Sequence, residues 1–205
     1  MSFDQYAQQW DTEKRIRRAK IIADKMRTTF DRAFYNRGME FGCGTGLISF
    51  NLADLFKESF LIDTSEGMIG ILKDKRQTYG TNHLIPIKSD ILKQEDLIHD
   101  NIDIVYSSMV LHHVDNTKDI MTRFYKLLKE KGELCIVDID LEDGRFHSAY
   151  PEFEGHNGFD HKELICIAES VGFKNIEITS FYNDVKVIRG ENVDYSLFIM
   201  HAYKE

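Results

Sequence analysis

The sequence predicts a doubly wound α/β fold, and three observations lead to it. Short apolar stretches alternate with amphipathic helical stretches, the order that builds a parallel sheet with helices on both faces. A glycine-rich turn over 42–46 follows the first apolar stretch and opens a helix. The last two strands, over 175–180 and 195–203, have no helix between them and should pair antiparallel. We therefore expect a seven-stranded, mostly parallel sheet with an antiparallel last strand.

The strands are identified by apolar content and length. The stretch from Ile102 to Ser108 is almost continuously apolar, as expected for a strand covered on both faces. Pro86 has no N–H group to donate, so it places the third strand at an edge of the sheet. The predicted strands are 38–41, 60–63, 84–88, 102–108, 133–140, 175–180 and 195–203.

The helices are identified by apolar periodicity and by their caps. An apolar repeat that includes Ile16 and Phe34 predicts the first helix over 11–34. Asp160 and Glu163 have the spacing of a capping box and begin the last helix. The remaining helices are predicted over 45–56, from Thr64 or Ser65 to just before Gly80, and from Asp115 or Asn116 through Leu128 with Gly132 as its end.

Length, charge and cysteine content favour one cytoplasmic domain over 1–205. The chain has 205 residues, 42% of them hydrophobic, and a formal net charge of −8 at pH 7. An acidic surface repels phosphate backbones, so nucleic acid is not expected as a partner. No apolar stretch has the length of a membrane span, so no membrane partner is expected either. Three scattered cysteines without a C-x-x-C pair are typical of a reducing compartment.

The segment Met39–Leu47 carries the strongest functional signal. It reads Met-Glu-Phe-Gly-Cys-Gly-Thr-Gly-Leu at a strand-to-helix turn. Alternate glycines let a ligand approach the backbone, and the following helix should point amide N–H groups at it. The third glycine comes one residue too early for the dinucleotide fingerprint. Glu40 would repel a pyrophosphate but suits an ammonium group, so a ligand with an amino-acid moiety is predicted.

Five segments share their order and spacing with one protein family. They are the glycine loop at 40–46, a strand and its final acid at 61–65, residues 88–91, the fourth strand with its exit at 103–106 and 111–114, and the turn at 127–134. Together they resemble the class I S-adenosylmethionine-dependent methyltransferases over nearly the whole chain. The resemblance implies a Rossmann-like fold, S-adenosyl-L-methionine as cofactor and a methyl-transfer activity.

The resemblance also implies roles for individual residues in the cofactor site. Asp63 follows the glycine loop at the spacing of a ribose-binding acid, Asp90 would face the adenine and Ser107 the methionine end. The alternatives are a helix-capping role for Asp63, a turn aspartate at Asp90, a structural acid at Glu40, a small apolar filler at Cys43 and a simple strand-end serine at Ser107. The predicted cofactor-binding residues are Glu40, Gly42, Cys43, Gly44, Gly46, Asp63, Thr64, Met68, Asp90, Ile91 and Ser107.

Histidines are the candidate catalytic groups. His112 and His113 follow the fourth strand, and a base with a pKa of about 6 to 7 suits an O–H or N–H acceptor. A packing role at the helix entry is the alternative, and His156 and His161 compete for the catalytic one. Two of these histidines with Asp160 and Glu154 lack metal-ligand spacing on one element, so no metal is expected.

Two segments should cover the site. The segment 141–159 is far longer than an ordinary loop after a strand and is rich in aromatic residues, so it should bind substrate through Tyr150, Phe153 and His156. Residues 1–35 form an amino-terminal lid and helix. The aromatic start of this segment could instead fasten the first helix to the sheet.

The sequence therefore predicts a cytoplasmic methyltransferase that acts on a small-molecule acceptor as a monomer or homodimer. A protein methyltransferase remains an alternative, since the acidic net charge permits a groove that selects Lys or Arg. A non-catalytic S-adenosylmethionine-binding module is the alternative from another class of proteins. The acceptor and its reactive atom are left open.

Overall fold

The computed structural model describes residues 3–94 and 101–205, and the strands within these ranges alternate with helices. The strands are β1 (Tyr35–Phe41), β2 (Phe56–Asp63), β3 (Leu84–Lys88), β4 (Ile102–Ser108), β5 (Leu128–Ile139), β6 (Phe173–Ile188) and β7 (Glu191–Lys204). The helices are α1 (Glu13–Thr29), α2 (Leu47–Leu52), α3 (Glu66–Tyr79), α4 (Thr117–Leu127) and α5 (His161–Val171). Shorter 3₁₀ turns cover Phe3–Gln9, Ala53–Leu55 and Leu111–His113.

In the described ranges, seven strands form one sheet in the order β3-β2-β1-β4-β5-β7-β6. The pairs β1/β2, β2/β3, β1/β4 and β4/β5 are parallel, whereas β7 is antiparallel to both of its neighbours. The predicted fold class is confirmed. The prediction from Pro86 is confirmed as well, because β3 lies at the edge of the sheet.

Helices cover both faces of the sheet. Apolar residues of α4 and α5, such as Phe124 and Leu164, pack in one buried cluster with Met39 and Ile62. Residues of α1 and α2, such as Met26, pack on the opposite face, and α3 adds a smaller cluster there. No helix in the described ranges is both long and apolar enough to cross a bilayer.

Helix α1 is shorter than the sequence repeat predicted. Thr12 caps its start by accepting the Arg15 N–H, and Phe30 is already extended. Ile16 and Phe34 were predicted on its apolar face, but they are 47% and 54% exposed. The predicted bounds of 11–34 and the burial of these two residues were wrong. An apolar repeat does not show which of its residues lie beyond the sheet that the helix packs on.

Strand β5 begins earlier than predicted. It follows α4 directly at Leu128, so Gly132 lies inside the strand and does not end a helix. The pairing with β4 shifts between Ile102↔Leu128 and Ile104↔Glu133, which marks a bulge. A bulge adds residues to one strand only, and the apolar pattern does not reveal it.

Strands β6 and β7 form a hairpin much longer than the predicted 175–180 and 195–203. Their pairing continues to Ile188↔Glu191, and the extension reaches over the carboxyl ends of the parallel strands. There Asp184 lies 3.0 Å from Lys14 in α1, and Lys186 donates to the Phe146 carbonyl at 2.7 Å. The last two strands thus help to hold the segment 141–159 in place.

Candidate active site

The sheet reverses its strand order between β1 and β4. The chain continues from β1 towards β2 and β3, but from β4 towards β5. In open α/β sheets such a reversal opens a crevice at the carboxyl ends of the strands, where ligands bind. The loop 42–46 leaves β1 at this crevice, and the segment 109–113 leaves β4 there.

The glycine loop has the tight backbone that its sequence predicts. Gly42, Gly44 and Gly46 all have positive φ values, of 70°, 51° and 81°. A Cβ at Gly42 would lie 2.3 Å from Cγ2 of Val110, so this position requires glycine for space as well as for conformation. A Cβ at Gly44 would come near only the Trp10 indole nitrogen, at 3.8 Å.

The loop amides do not point into the crevice as expected. The N–H groups of Gly42 and Cys43 both donate to the Ile62 carbonyl, at 2.8 and 3.0 Å. The Gly44 N–H donates to Oδ2 of Asp63 at 2.8 Å. These three donors therefore fasten the loop to the end of β2 and do not face a ligand in this structure, while the expectation for the amides at the start of α2 stays a prediction.

Asp63 is the acid around which the loop is arranged. Its Oδ1 accepts the Ser65 N–H at 2.9 Å, while its Oδ2 accepts the Gly44 N–H. Burial raises the pKa of this carboxyl, and the N–H groups of Ser65 and Gly44 oppose the rise. The adjacent Thr64 is exposed. The residue that caps α3 is Ser65 and not Asp63, because the Ser65 hydroxyl accepts the Met68 N–H.

Glu40 and Cys43 serve the interior of the sheet. Glu40 is 2% exposed, and its carboxyl accepts the hydroxyl of Ser49 in α2. Burial raises its pKa to about 8, and this carboxyl is paired inside the sheet, so its predicted contact with an ammonium group stays a prediction. Burial also raises the pKa of the Cys43 thiol well above its usual value, which fits the apolar-filler interpretation.

Three other predicted cofactor residues are buried. Met68 and Ile91 are each 1% exposed, and Ile91 packs in the cluster under α4 and α5. The Ser107 hydroxyl donates to the Phe41 carbonyl at 2.8 Å. Ser107 therefore braces the ends of β1 and β4 against each other, at the point where the crevice begins.

Asp90 has the contacts of a turn aspartate. Its Oδ1 accepts the Leu92 N–H at 3.1 Å, and Lys93 lies 2.9 Å from its Oδ2. The preceding Ser89 donates its N–H to the Asp63 carbonyl at 3.0 Å, so the turn lies beside the glycine loop. The adenine-binding role of Asp90 stays a prediction.

The amino-terminal segment lies over the glycine loop. The Phe3 ring packs edge-on against Trp10 at 5.8 Å between centroids and against His113 at 5.4 Å. The Arg15 guanidinium stacks over the Trp10 ring at 4.0 Å. Because Trp10 also lies next to Gly44, this segment spans from the glycine loop to the segment after β4.

Polar contacts of Asp4 and Asp11 also fasten the amino-terminal segment to residues in and after the glycine loop. Asp4 accepts the Ser65 hydroxyl at 2.6 Å and the Gly67 N–H at 2.8 Å. The Thr45 hydroxyl donates to Asp11 at 2.5 Å. Both the predicted lid and its alternative, a fastening to the sheet, are compatible with these contacts.

Three histidines meet on the other side of the crevice. His112 is buried, and its Nδ1 lies 2.5 Å from Oδ1 of Asp138 at the end of β5. The ring centroids of His113 and His147 lie 4.2 and 5.0 Å from that of His112. Burial lowers the pKa of His113 to about 4 and that of His147 to about 3, so both are neutral at pH 7.

The segment 141–159 closes over these histidines. The Phe153 ring stacks on His147 with centroids 3.8 Å apart and planes within 14°. His156 donates its N–H to the His112 carbonyl at 2.8 Å, and its Nε2 lies 3.0 Å from the Val114 carbonyl. His156 thus anchors the segment, and it is Phe153 that contacts the histidine rings.

Tyr150 joins this cluster through its backbone, whereas His161 is paired elsewhere. Tyr150 is half-buried, and its N–H donates to the His147 carbonyl at 2.8 Å. His161 instead pairs with Asp140, with Nε2 and Oδ1 2.6 Å apart. The predicted substrate role of Tyr150 is untested, and His161 is occupied outside the crevice.

Comparison with known proteins places this crevice in a family. The family model for a methyltransferase domain matches residues 39–136, which span the glycine loop through β5. The match covers 98 of the 205 residues, and over this stretch the chain is similar to methyltransferase domains. The finding agrees with the predicted family.

Two curated relatives are methyltransferases by name. An uncharacterized methyltransferase of Schizosaccharomyces pombe is 25% identical over 181 residues, 78% of this chain and 62% of the relative. A malonyl-[acyl-carrier protein] O-methyltransferase of Bacillus cytotoxicus is 28% identical over 137 residues, 65% of this chain and 44% of the relative. The chain thus spans less than two thirds of the length of either relative.

A solved structure shares the fold of this methyltransferase domain. Phosphoethanolamine N-methyltransferase 2 of Haemonchus contortus, in complex with S-adenosyl-L-methionine, superposes with a TM-score of 0.74. The match covers all of this chain and 60% of the other, at 14% identity. The Rossmann-like arrangement predicted from the sequence is therefore the one observed.

The sequence analysis missed one residue of this site and one contact within it. Asp138 was placed inside the fifth strand with no role, and His147, a polar residue of the predicted substrate segment 141–159, was not expected to meet His112. The signal for Asp138 was available, because a charged residue near the carboxyl end of an otherwise apolar strand is the same feature that identified Asp63. His147 lies far from His112 in sequence, so no local pattern could bring the two together.

Proposed function

We propose that this protein transfers the methyl group of S-adenosyl-L-methionine to a small-molecule acceptor. The observation that carries the proposal is the placement of Asp63 at the reversal of strand order, with both carboxyl oxygens held by backbone N–H groups. A fixed carboxylate in this position is suited to the two hydroxyl groups of a ribose.

The described residues fit such a ligand. An ionised carboxylate offers about four lone-pair sites. The N–H groups of Gly44 and Ser65 each donate to one oxygen, and the backbone of Thr64 also lowers the pKa of this carboxyl. Acceptor capacity is still left for a hydroxyl donor. Gly44 has no side chain, and Trp10 Nε1 is the single group among the described residues within 4 Å of its Cβ position, so Trp10 would border a ligand bound against this backbone.

The cofactor would supply a methyl group on a positively charged sulfur. The protein's own contribution is to hold the donor and the acceptor in line and to exclude water. Trp10 and Phe3 cover the crevice from the amino-terminal side, and Phe153 covers it from the segment 141–159. This aromatic enclosure favours a reaction in which charge is lost.

The acceptor end is enclosed, which favours a small molecule over a protein. His112 is 1% exposed and His147 is 8% exposed beneath Phe153. A protein methyltransferase needs an open groove for a peptide side chain with its backbone. The segment 141–159 lies where such a groove would begin, because Gly155 and His156 pack directly on the His112 carbonyl.

We further propose that the neutral imidazole of His113 faces the acceptor. His113 is partly exposed, borders Phe3 and keeps an available lone pair at neutral pH. The catalytic roles predicted for His112 and His113 remain proposals of this kind. His112 is held by Asp138 and would act by positioning.

Calorimetry tests the cofactor. Titrating the full chain with S-adenosyl-L-methionine and its demethylated product should show one binding site for each compound. Asp63→Ala should weaken both at least tenfold, since a hydrogen bond to a charged group contributes about 1.5 to 3 kcal/mol. Asp54→Ala removes a surface carboxylate paired with Arg27 and serves as the matched control, with unchanged affinity.

Two results would overturn the proposal. One is equal affinity of the wild type and Asp63→Ala for the methionine-derived compounds. The other is binding of NADH without binding of either compound. If both compounds bind but no methyl group reaches any small molecule offered as acceptor, the non-catalytic binding module becomes the better interpretation.

A further inference from the structure

The histidine cluster, consisting of His112, His113 and His147, has the arrangement of a metal-ligand set. One ring nitrogen from each of the three histidines lies within 4.8 Å of those of the other two. Two of the rings follow β4, and the third comes from the segment 141–159. The cluster therefore exists only when that segment is packed on the end of the sheet.

Asp138 prepares His112 to bind a further group. Its carboxyl is fully buried and lies 2.5 Å from Nδ1 of His112, which leaves Nε2 of that ring as the remaining nitrogen. The same carboxyl accepts the N–H groups of Ile139 and His112, at 2.8 and 3.3 Å, so its position is fixed. A carboxylate behind a histidine is the usual support of a metal-bound imidazole, because it sets the tautomer and the ring plane.

The buried ring of His147 has one nitrogen that needs a hydrogen-bond partner and has none among the described residues. The side chain is 8% exposed, and its Nδ1 has no hydrogen-bond partner among the described residues. Leaving such an atom unsatisfied costs about 1 to 3 kcal/mol. Phe153 stacks on the ring and fixes its plane, so the atom is held in place without a protein partner. A bound ion coordinated by the cluster would remove this cost.

We propose that His112, His113 and His147 bind a divalent transition-metal ion, with Asp138 supporting His112. Imidazole nitrogens select Zn²⁺, Fe²⁺, Co²⁺ or Ni²⁺ over Mg²⁺ and Ca²⁺. Three protein ligands leave at least one coordination position open, as in catalytic zinc sites. His113 borders Phe3, so the cluster lies beside the proposed acceptor region, and a bound ion would take the place proposed above for the free His113 lone pair. The use of the ion in catalysis rests on the proposed function, but its binding does not.

This site departs from the metal-free expectation of the sequence analysis. The set considered there combined His156 and His161 with Asp160 and Glu154. In the structure His156 bonds to the Val114 carbonyl and His161 to Asp140, so these two histidines are occupied elsewhere.

The test is titration of the EDTA-treated full chain with Co²⁺, followed by its visible absorption, and with Zn²⁺ as competitor. One Co²⁺ per chain should bind and be displaced by Zn²⁺. His147→Ala and His113→Ala should each weaken Co²⁺ binding at least tenfold, and Asp138→Asn should weaken it by about 10- to 100-fold. His161→Ala, the matched control from outside the cluster, should leave the affinity within a factor of two.

Binding of the demethylated cofactor to the same variants separates this proposal from the previous one. Retained affinity in His147→Ala shows that the variant is folded, so a loss of Co²⁺ binding there supports the metal site. Co²⁺ affinity that is equal in the wild type and His147→Ala overturns it, as does a wild type that binds no Co²⁺ at millimolar concentration. A wild type that binds Co²⁺ but no cofactor would refute the proposed function and leave the metal site standing.

Discussion

The two sides of the crevice differ in how their buried polar groups are satisfied. On the glycine-loop side, both oxygens of Asp63 accept N–H groups, and the Glu40 carboxyl accepts the Ser49 hydroxyl. On the histidine side, Asp138 is satisfied, but the buried Nδ1 of His147 has no partner among the described residues. On the glycine-loop side, these carboxyl groups are hydrogen-bonded before any ligand binds. On the histidine side, a bound ligand would supply the partner that Nδ1 of His147 lacks among the described residues.

The difference indicates that the two sides of the crevice are held together by separate parts of the chain. The glycine-loop side is built from residues 40–65, which are close in the sequence, and its groups hold one another in place without a ligand. The histidine cluster needs the segment 141–159 to pack on β4 and β5. A substitution whose contacts stay on one side should therefore leave the other side intact, which the Gly155 variant below tests. Gly42 is different, because its Cβ would reach Val110, next to the histidine cluster.

The largest effect is expected from Gly42→Ala. A Cβ would meet Val110 at 2.3 Å, and alanine would have to adopt a φ of 70°. Strain of this kind costs about 1 to 3 kcal/mol before the clash is added, so the free energy of unfolding should fall by about 3 kcal/mol or more. Urea denaturation measures it.

Gly70→Ala is the control for this experiment. Gly70 lies inside α3, and a Cβ there would have no neighbour within 4 Å among the described residues. Alanine should therefore stabilise the helix by about 0.5 to 1 kcal/mol. Equal stability of the two variants would show that the glycine loop is not constrained as described.

A second large effect should appear in the pH dependence of stability. The pKa of Glu40 is raised to about 8 in the folded protein, against an ordinary value of 4.5. Between these values the unfolded carboxyl is ionised while the folded one keeps its proton, so stability falls as pH rises from about 4.5 to 8. Each unit of difference corresponds to about 1.4 kcal/mol, which gives about 3 kcal/mol at pH 7 as an upper bound.

Glu40→Gln should remove this dependence and flatten the stability curve in that pH range. Thermal unfolding at a series of pH values measures it. Glu58→Gln, which alters a surface carboxylate paired with Arg37, should keep the slope of the wild type. A Glu40→Gln curve that parallels the wild type would mean that Glu40 is charged in the folded protein.

Gly155→Ala should disturb the histidine side alone. A Cβ there would lie 2.2 Å from the His112 carbonyl oxygen and 2.5 Å from Phe153. The segment 141–159 would have to move, with loss of the His156 to His112 hydrogen bond, which is worth about 1 kcal/mol. Cleavage of this segment by trypsin should accelerate several-fold, while affinity for the demethylated cofactor stays within a factor of two. A matching loss of cofactor affinity would contradict the independence of the two sides.

The smallest effect concerns the amino-terminal segment. Trp10 is the single tryptophan of the chain and lies against Gly44 and Arg15, so its fluorescence reports on the glycine-loop side. If this segment is a lid, binding of the demethylated cofactor should shift the emission by a few nanometres and reduce quenching by acrylamide. Emission and quenching that do not respond to bound cofactor would favour the fastening role.

Much of the fold could be predicted because it depends on local patterns. The apolar run of β4, the proline of β3 and the caps at Ser65 and Asp160 are each read within a few residues, and all were confirmed. The start of β5 and the length of the β6–β7 hairpin were not predictable in this way. A bulge and a strand extension are decided by the partner strand, which the local sequence does not contain.

The site shows the same contrast between features that the local sequence determines and features that distant parts of the chain determine. The placement of Asp63 was predictable from its distance to the glycine loop, because both lie at the ends of neighbouring parallel strands. The direction of the loop amides was not, since the Ile62 carbonyl competes with a ligand for the same donors. The contacts between His147, Asp138 and His112 arise from three separate parts of the chain, and only the packed structure brings them together.

The position of β7 has a consequence for biosynthesis. Residues 133–139 of β5 pair on one side with residues 197–203 of β7, which are synthesised later. Until residues 197–203 have left the ribosome and paired, β5 carries an open, apolar edge, and such edges recruit other chains. The nascent protein therefore passes through a stage in which it is prone to aggregate. We expect its yield in cells to depend on chaperones that shield this edge during synthesis.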